Sequence, residues 1–233
     1  MNTCYTAIFG NYDDLKDPQV ITPGWQYICF TNQDIKSNVW QIVRKEMMPE
    51  GPQRTARYYK LMYFHHVTSE KSIWIDASFI INCNLDRFWD KYFNSHISTP
   101  NNPFRNCVYL EAEACIRNGR DVPEVIENQI SHYRRFVPRN NGMIASGILL
   151  RNQSFETHTF CALWWEELKR FSVRDQISWA NINHQLPNTC HRFNLDYRYS
   201  DEMIFTTHLH KRAKYGKIYR PKRKTKRTGN QIV

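Results

Sequence analysis

No stretch of this chain is apolar for long enough to cross a bilayer: the longest run, GMIASGILL at 142–150, falls well short of the ~20 residues a spanning helix needs. The opening, MNTCYTAIFGNYDD, has no basic start followed by an apolar core, so no signal peptide is read. Glycine and proline are scarce, at 8 and 10 of 233 residues, which excludes collagen-like and low-complexity chains. The seven cysteines are odd in number and never spaced C-x-x-C. That pattern argues against a zinc site or a disulfide framework and for reduced core thiols. Together these absences lead to the expectation of a cytoplasmic protein.

Hydrophobic residues make up 41% of the chain and aromatics 14%, enough for a substantial core. Acid is the scarcer charge: 32 Lys and Arg against 22 Asp and Glu leave 32 − 22 = +10. Such an excess attracts anionic partners and says nothing about the fold. Part of it sits in RPKRKTKR at 220–227, more often a solvated end than a specific site. Lys222, Arg223 and Lys224, with Arg134 and Arg135, are the candidate contacts for nucleic acid or another polyanion. The expected organisation is one domain over 1–219 and a basic tail over 220–233.

Apolar runs bounded by turn residues predict strands at 4–9, 25–31, 39–43, 72–81 and 140–152. RNCVYLEAEACI, 105–116, alternates well enough to predict another, and shorter ones are expected near 193–199 and 203–206. Segment 98–104 reads as a loop. Helical spacing predicts helices over 53–67, 85–93, 123–137 and 154–171, with a further helix or loop from 172. Strands and helices alternate early, which argues an α/β sheet covered on both faces.

In such sheets ligands gather at the carboxyl ends of strands. SIWIDASFII, 72–81, places Asp76 at such an end, where an ionised carboxylate needs a cation, a donor or water. A hard carboxylate there suits Mg²⁺ or Mn²⁺; the competing reading is a strand-end cap. Phe9-Gly10-Asn11-Tyr12 offers a backbone turn and a stacking ring, or merely a turn. Arg54, Arg57 and Lys60 fall on one side of a helix and could neutralise a diphosphate, or form a basic solvated face. Arg174-Asp175-Gln176 packs a cation, an acid and an amide together; its rival is a helix start capped by Ser172. His208 and His210 share a face of an extended segment and could reach a metal.

In this order the pieces YTAIFGNYDDL, WQYICFTN, SIWIDASF, RNCVYLEAEAC, NNGMIASGILLRN and RDQISW resemble a glycosyltransferase-like family best known from plant seed-mucilage proteins. The likeness runs from about residue 3 to about 182. More distantly the chain is similar to the glycogenin and lipopolysaccharide-galactosyltransferase family. The resemblance implies a GT-A fold: a single Rossmann-like nucleotide-sugar domain with a mixed sheet and helices on both faces. By that likeness Phe9, Gly10, Asn11 and Tyr12 hold the nucleotide base, and Arg57 and Lys60 face the diphosphate or sugar. Asp76 falls at the first acid of D-x-D, with Ser78 where the second would stand. Asn141 and Gly142 line the sugar and acceptor side, and Arg174, Asp175 and Gln176 form the catalytic group with Asp76. His208, or His210, completes the shell of a Mn²⁺ or Mg²⁺ ion.

The expected function is transfer of a sugar from a nucleotide sugar, UDP-linked by analogy and with retention, to a hydroxyl acceptor. That acceptor is expected to be a hydroxymethylated DNA base of phage type or else a glycan built in the cytosol. The alternative is a non-catalytic nucleic-acid-binding protein, which explains the charge but not the order of Asp76, Asn141-Gly142 and Arg174-Asp175-Gln176.

Overall fold

A computed structural model describes residues 1–206. Seven strands form the central sheet: β1 (Asn2–Ile8), β2 (Trp25–Thr31), β3 (Gln41–Arg44), β4 (Lys71–Ile75), β6 (Ile97–Pro100), β7 (Ile148–Asn152) and β8 (Cys190–Phe193). Their order is β3-β2-β1-β4-β7-β6-β8. The pairs β1–β2, β2–β3, β1–β4 and β6–β8 are parallel, and β7 runs antiparallel to both β4 and β6. A two-stranded ribbon of β5 (Phe79–Ile81) and β9 (Met203–Phe205) lies apart.

Alternation along the strands sorts side chains to two cores. Tyr5, Ile28, Phe30, Trp74 and Leu149 face one layer, built from α1 (Pro52–Leu61), α3 (Val108–Arg117), α4 (Pro123–Tyr133), α5 (Phe155–Arg170) and α6 (Asp175–Gln185). Cys4, Cys29, Ile73, Ile75 and Leu150 face the other, where α2 (Leu85–Tyr92) packs with the ribbon. The mixed α/β class with helices on both faces is therefore what the chain adopts, with the coverage uneven.

The topology explains where a site can form. The chain moves outward from β1 to β3, then α1 carries it back so that β4 pairs on the other side of β1. Such a reversal opens a crevice at the carboxyl ends of the two diverging strands. Because β7 is antiparallel, the segment leading into it arrives at this same end: Ile75 pairs with Ile148, and the Asp76 amide donates to the Gly147 carbonyl at 2.8 Å.

Several expected elements differ. Residues 105–116 are not a strand but hold most of α3: Val108, Glu111, Ala112 and Cys115 are buried at helical spacing while Leu110 is exposed. The alternating apolar letters coincided with i, i+4 positions, and the Ala and Glu between them favour helix. The run 72–81 breaks at Asp76 into β4 and β5, and 140–147 is loop before β7 begins. The expected helix over 53–67 ends at Leu61, followed by a single 3₁₀ turn at Tyr63–His65. The loop expected at 98–104 begins with β6. The segment after Ser172 is helical from Asp175.

Arg54 also departs from expectation. Its guanidinium turns away from the crevice and donates to the carbonyls of Leu168 and Phe171, at 2.5 and 2.7 Å, closing the C-terminal end of α5. A cation there meets both the orphan carbonyls and the negative end of the helix. Arg54→Ala should therefore cost about 1.5–3 kcal/mol in chemical denaturation, the range for hydrogen bonds to a charged group.

Candidate active site

Asp76 stands in the crevice, its side chain 30% exposed. Its Oδ1 accepts the indole N–H of Trp74 at 2.7 Å, and the ammonium of Lys60 lies 3.6 Å away. Lys60 is wholly buried and donates to Oδ2 of Asp175 at 2.6 Å. The same oxygen accepts from the Ser146 hydroxyl at 2.9 Å and lies 3.2 Å from Nε of Arg57. Lys60 thus bridges two acids that are 99 residues apart in the chain (175 − 76 = 99).

Local structure places each group. Arg57 and Lys60 are three residues apart on α1, hence on one face, and α1 is anchored by Tyr59 stacked on Phe9 and Phe30, with ring centroids 5.4 and 4.7 Å apart. Asp175 begins α6, where an acid suits the positive helix end. Arg174 takes the N-cap position, and Ser172 instead accepts from the Arg174 amide, so the capping alternative is not realised. Arg151, also fully buried, donates to the Lys60 carbonyl at 2.6 Å and lies over the Tyr63 ring, fixing the end of α1 from below.

Burial alone would push the Asp175 carboxyl up; Arg57, Lys60 and Arg174 outweigh it and hold the group well below the usual carboxylate range. Burial pulls Lys60 below the ordinary lysine range, against Asp175 and Asp76. Three cations around one acid keep that acid ionised.

Not every expected residue reaches the crevice. Asp175, expected in the catalytic group, is only 1% exposed and is turned to Lys60, Arg57 and Ser146. Phe9 is buried against Tyr59 and cannot present its ring to a base. Gly10 and Asn11 form a left-handed turn, with φ of 65° and 58°, and the Gly10 amide donates to Oδ1 of Asn32 at 3.1 Å. Beside them an open groove of about 440 Å³ is lined by Asn32, Arg44, Lys45, Glu46 and Met47. Tyr12 is half-buried, and burial raises its phenol above the ordinary range, although Arg174, Arg57 and Arg120 pull the other way. Gln176 donates to the Ile144 carbonyl at 2.8 Å and accepts from Arg174 at 3.3 Å. Ser78 is half-buried in the turn after Asp76, and its carbonyl accepts from Thr206. Arg134 and Arg135 are exposed past the end of α4, away from this network. His208, His210, Lys222, Arg223 and Lys224 lie outside the described residues. Among the described residues no three His, Cys, Asp or Glu side chains gather closely enough to hold a metal ion.

Several participants were missed in the sequence. Ser146 and Gly147 sit in the expected IASG stretch, yet nothing marked Ser146 as a partner of an acid. Lys16 donates to the Ala77 carbonyl at 2.8 Å, pinning the loop after β1 over the turn that follows Asp76. Arg192 donates to the Asn141 carbonyl at 3.4 Å and occupies the space a side chain at position 142 would need. A Cβ there would lie 1.1 Å from Nη1 of Arg192, and φ is +83°. Gly142→Ala should therefore displace Arg192 and destabilise by about 1–2 kcal/mol from backbone strain, read as a lower thermal midpoint.

A profile described as the TOD1/MUCI70, glycosyltransferase-like domain matches residues 26–210. The chain belongs to the TOD1/MUCI70 glycosyltransferase-like family. The match begins inside β2, so β1 and the Gly10–Asn11 turn fall before it, while Asp76, Lys60 and Asp175 lie within it. A curated TOD1/MUCI70 relative, the probable hexosyltransferase MUCI70 of Arabidopsis thaliana, is 24% identical over 215 residues, covering 78% of this chain and 37% of that protein. The chain thus spans well under half the length of that relative. Among solved structures, mouse xyloside xylosyltransferase 1 is similar at 8% identity, covering 83% of this chain and 85% of that one, with a TM-score of 0.49. The glycosyltransferase GlyE of Streptococcus pneumoniae is similar at 12% identity, covering 82% and 45%, with a TM-score of 0.42. No helix among the described residues is long and apolar enough to cross a membrane.

Proposed function

We propose that this chain transfers a sugar from a nucleotide sugar to a hydroxyl acceptor, in a GT-A type domain spanning about 1–219. The observation that carries the reading is Asp76: a partly exposed carboxylate at the crevice between β1 and β4, backed by the buried Lys60–Asp175–Arg57 network. Membership of a glycosyltransferase-like family supports it.

The nucleoside lies in the groove beside Gly10 and Asn32, with a uridine diphosphate donor as the first candidate. Arg57 stabilises the departing diphosphate, since preformed cations aimed at developing charge lower the barrier without reorganising. Asp76 accepts hydrogen bonds from donor hydroxyls and opposes the cationic character that the sugar carbon gains. Asp175 acts through Lys60 and Arg57 rather than on the sugar. Retention at that carbon remains the stereochemical reading. The acceptor is read as a glycan hydroxyl; exposed Arg134 and Arg135 would serve any polyanion and do not single out a DNA base.

The test is a panel of UDP-, GDP- and ADP-sugars incubated with the purified chain, followed by release of the nucleoside diphosphate. One nucleotide class should be hydrolysed well above the protein-free rate. No release from any member of the panel would contradict the reading.

A further inference from the structure

We propose that this site holds the diphosphate of its donor without a divalent cation, Lys60 supplying the counter-charge of Asp76 and Asp175 from within the protein. The inference deepens the glycosyl-transfer reading and rests on it.

The donor set is the first argument. Divalent magnesium or manganese needs several open oxygen ligands, usually carboxylates together with waters and phosphate. Asp76 has one oxygen, Oδ1, already accepting the Trp74 N–H with Lys60 beside it. Its Oδ2 is the oxygen left open to the crevice, a single ligand where a divalent ion needs several. The position two residues on carries a neutral Ser78 instead of a second acid. The other acid is spent as well: Oδ2 of Asp175 takes Lys60 and Ser146, and Oδ1 takes the Gln176 amide at 3.1 Å.

Charge is the second argument. A site that recruits a divalent ion carries surplus acid, whereas here Lys60, Arg57 and Arg174 act on Asp175, Lys60 also lies beside Asp76, and Glu111 acts on Arg174, so 3 − 3 = 0. No surplus acid is left to recruit a divalent ion, and the partly exposed Arg57 is a cation that a diphosphate can meet directly. A divalent ion on Asp76 would instead sit against the buried Lys60 ammonium, which Asp175 holds at 2.6 Å. Lys60 is too buried to touch a ligand and acts as a positioning residue. Arg57 turns its buried Nε to Asp175 at 3.2 Å and keeps 19% of its side chain exposed, which makes it the cation left to meet phosphate oxygens.

Calorimetric titration of UDP, GDP and ADP into the full chain tests this, with EDTA in one arm and millimolar Mn²⁺ in the other. The expected result is an affinity for the preferred diphosphate that agrees between arms within about threefold, and a loss of about 30-fold in Arg57→Met with part regained in Arg57→Lys. Electron paramagnetic resonance of Mn²⁺ should show no ion bound with the nucleotide beyond what nucleotide alone binds. A gain of about tenfold or more in the Mn²⁺ arm would overturn the inference, as would a protein-bound Mn²⁺ signal such as a ligand from His208 or His210 would create. Binding in neither arm would overturn the glycosyl-transfer reading itself, and this inference with it.

Discussion

Asp175→Asn should unfold about 10 °C below the parent protein, a loss of about 3–5 kcal/mol, because it leaves the buried Lys60 ammonium without its closest counter-charge. Asn can still accept from Ser146 and Lys60 through its one oxygen, but its NH₂ then faces the Gln176 amide, so the loss combines the charge with one acceptor. A compensating change identifies the cause. Asp175→Asn combined with Lys60→Met removes both members of the pair and should recover part of the stability, a non-additivity expected only of groups in contact. A fall of less than about 1 kcal/mol in the single variant would mean that the network does not hold the layer of α1 and α6 together. The pH dependence carries the same signature. Asp175 has a depressed folded-state pKa, so its contribution is complete above the ordinary carboxylate value of ~3.9 and is lost as pH falls below it. Parent stability should therefore drop more steeply with acid than that of Asp175→Asn.

Asp76→Asn is the second large effect, and it falls on activity rather than stability. The amide oxygen can keep the Trp74 contact, and the partly exposed site tolerates a neutral group, so the unfolding midpoint should move by less than about 1 kcal/mol. Turnover of the donor should drop about 100-fold, the size of losing a hydrogen bond to a charged acceptor in the transition state. Unchanged turnover would remove Asp76 from the reaction. An equal loss of stability and activity would make it a structural residue only.

Much of this arrangement was legible in the chain, for reasons that differ residue by residue. Asp76 stood out because a carboxylate ends an apolar strand, and burial rules alone demand a partner for it. Arg57 and Lys60 were legible as a pair because a helix puts residues three apart on one face. The same rule placed Arg54 with them, yet Arg54 caps α5 while Arg57 reaches Asp175, and the choice depends on a helix more than a hundred residues away. That Lys60 would be buried was not legible at all, since lysine is seldom buried without a partner and the partner here is 115 residues on. Ser146 and Arg192 were hidden for the same reason: neither carries a local pattern, and each acquires its role only when β7 and β8 enter the sheet. α3 was misread because four apolar letters fit two periods at once.

The central claim is a place: the donor diphosphate lies over Arg57, with the sugar toward Asp76, at the carboxyl ends of β1 and β4. A crystal structure of the chain with its preferred nucleoside diphosphate decides it. The account predicts phosphate oxygens within hydrogen-bond reach of the Arg57 guanidinium, with the base toward Asn32. Phosphates bound elsewhere, with Arg57 still turned only toward Asp175, would contradict it.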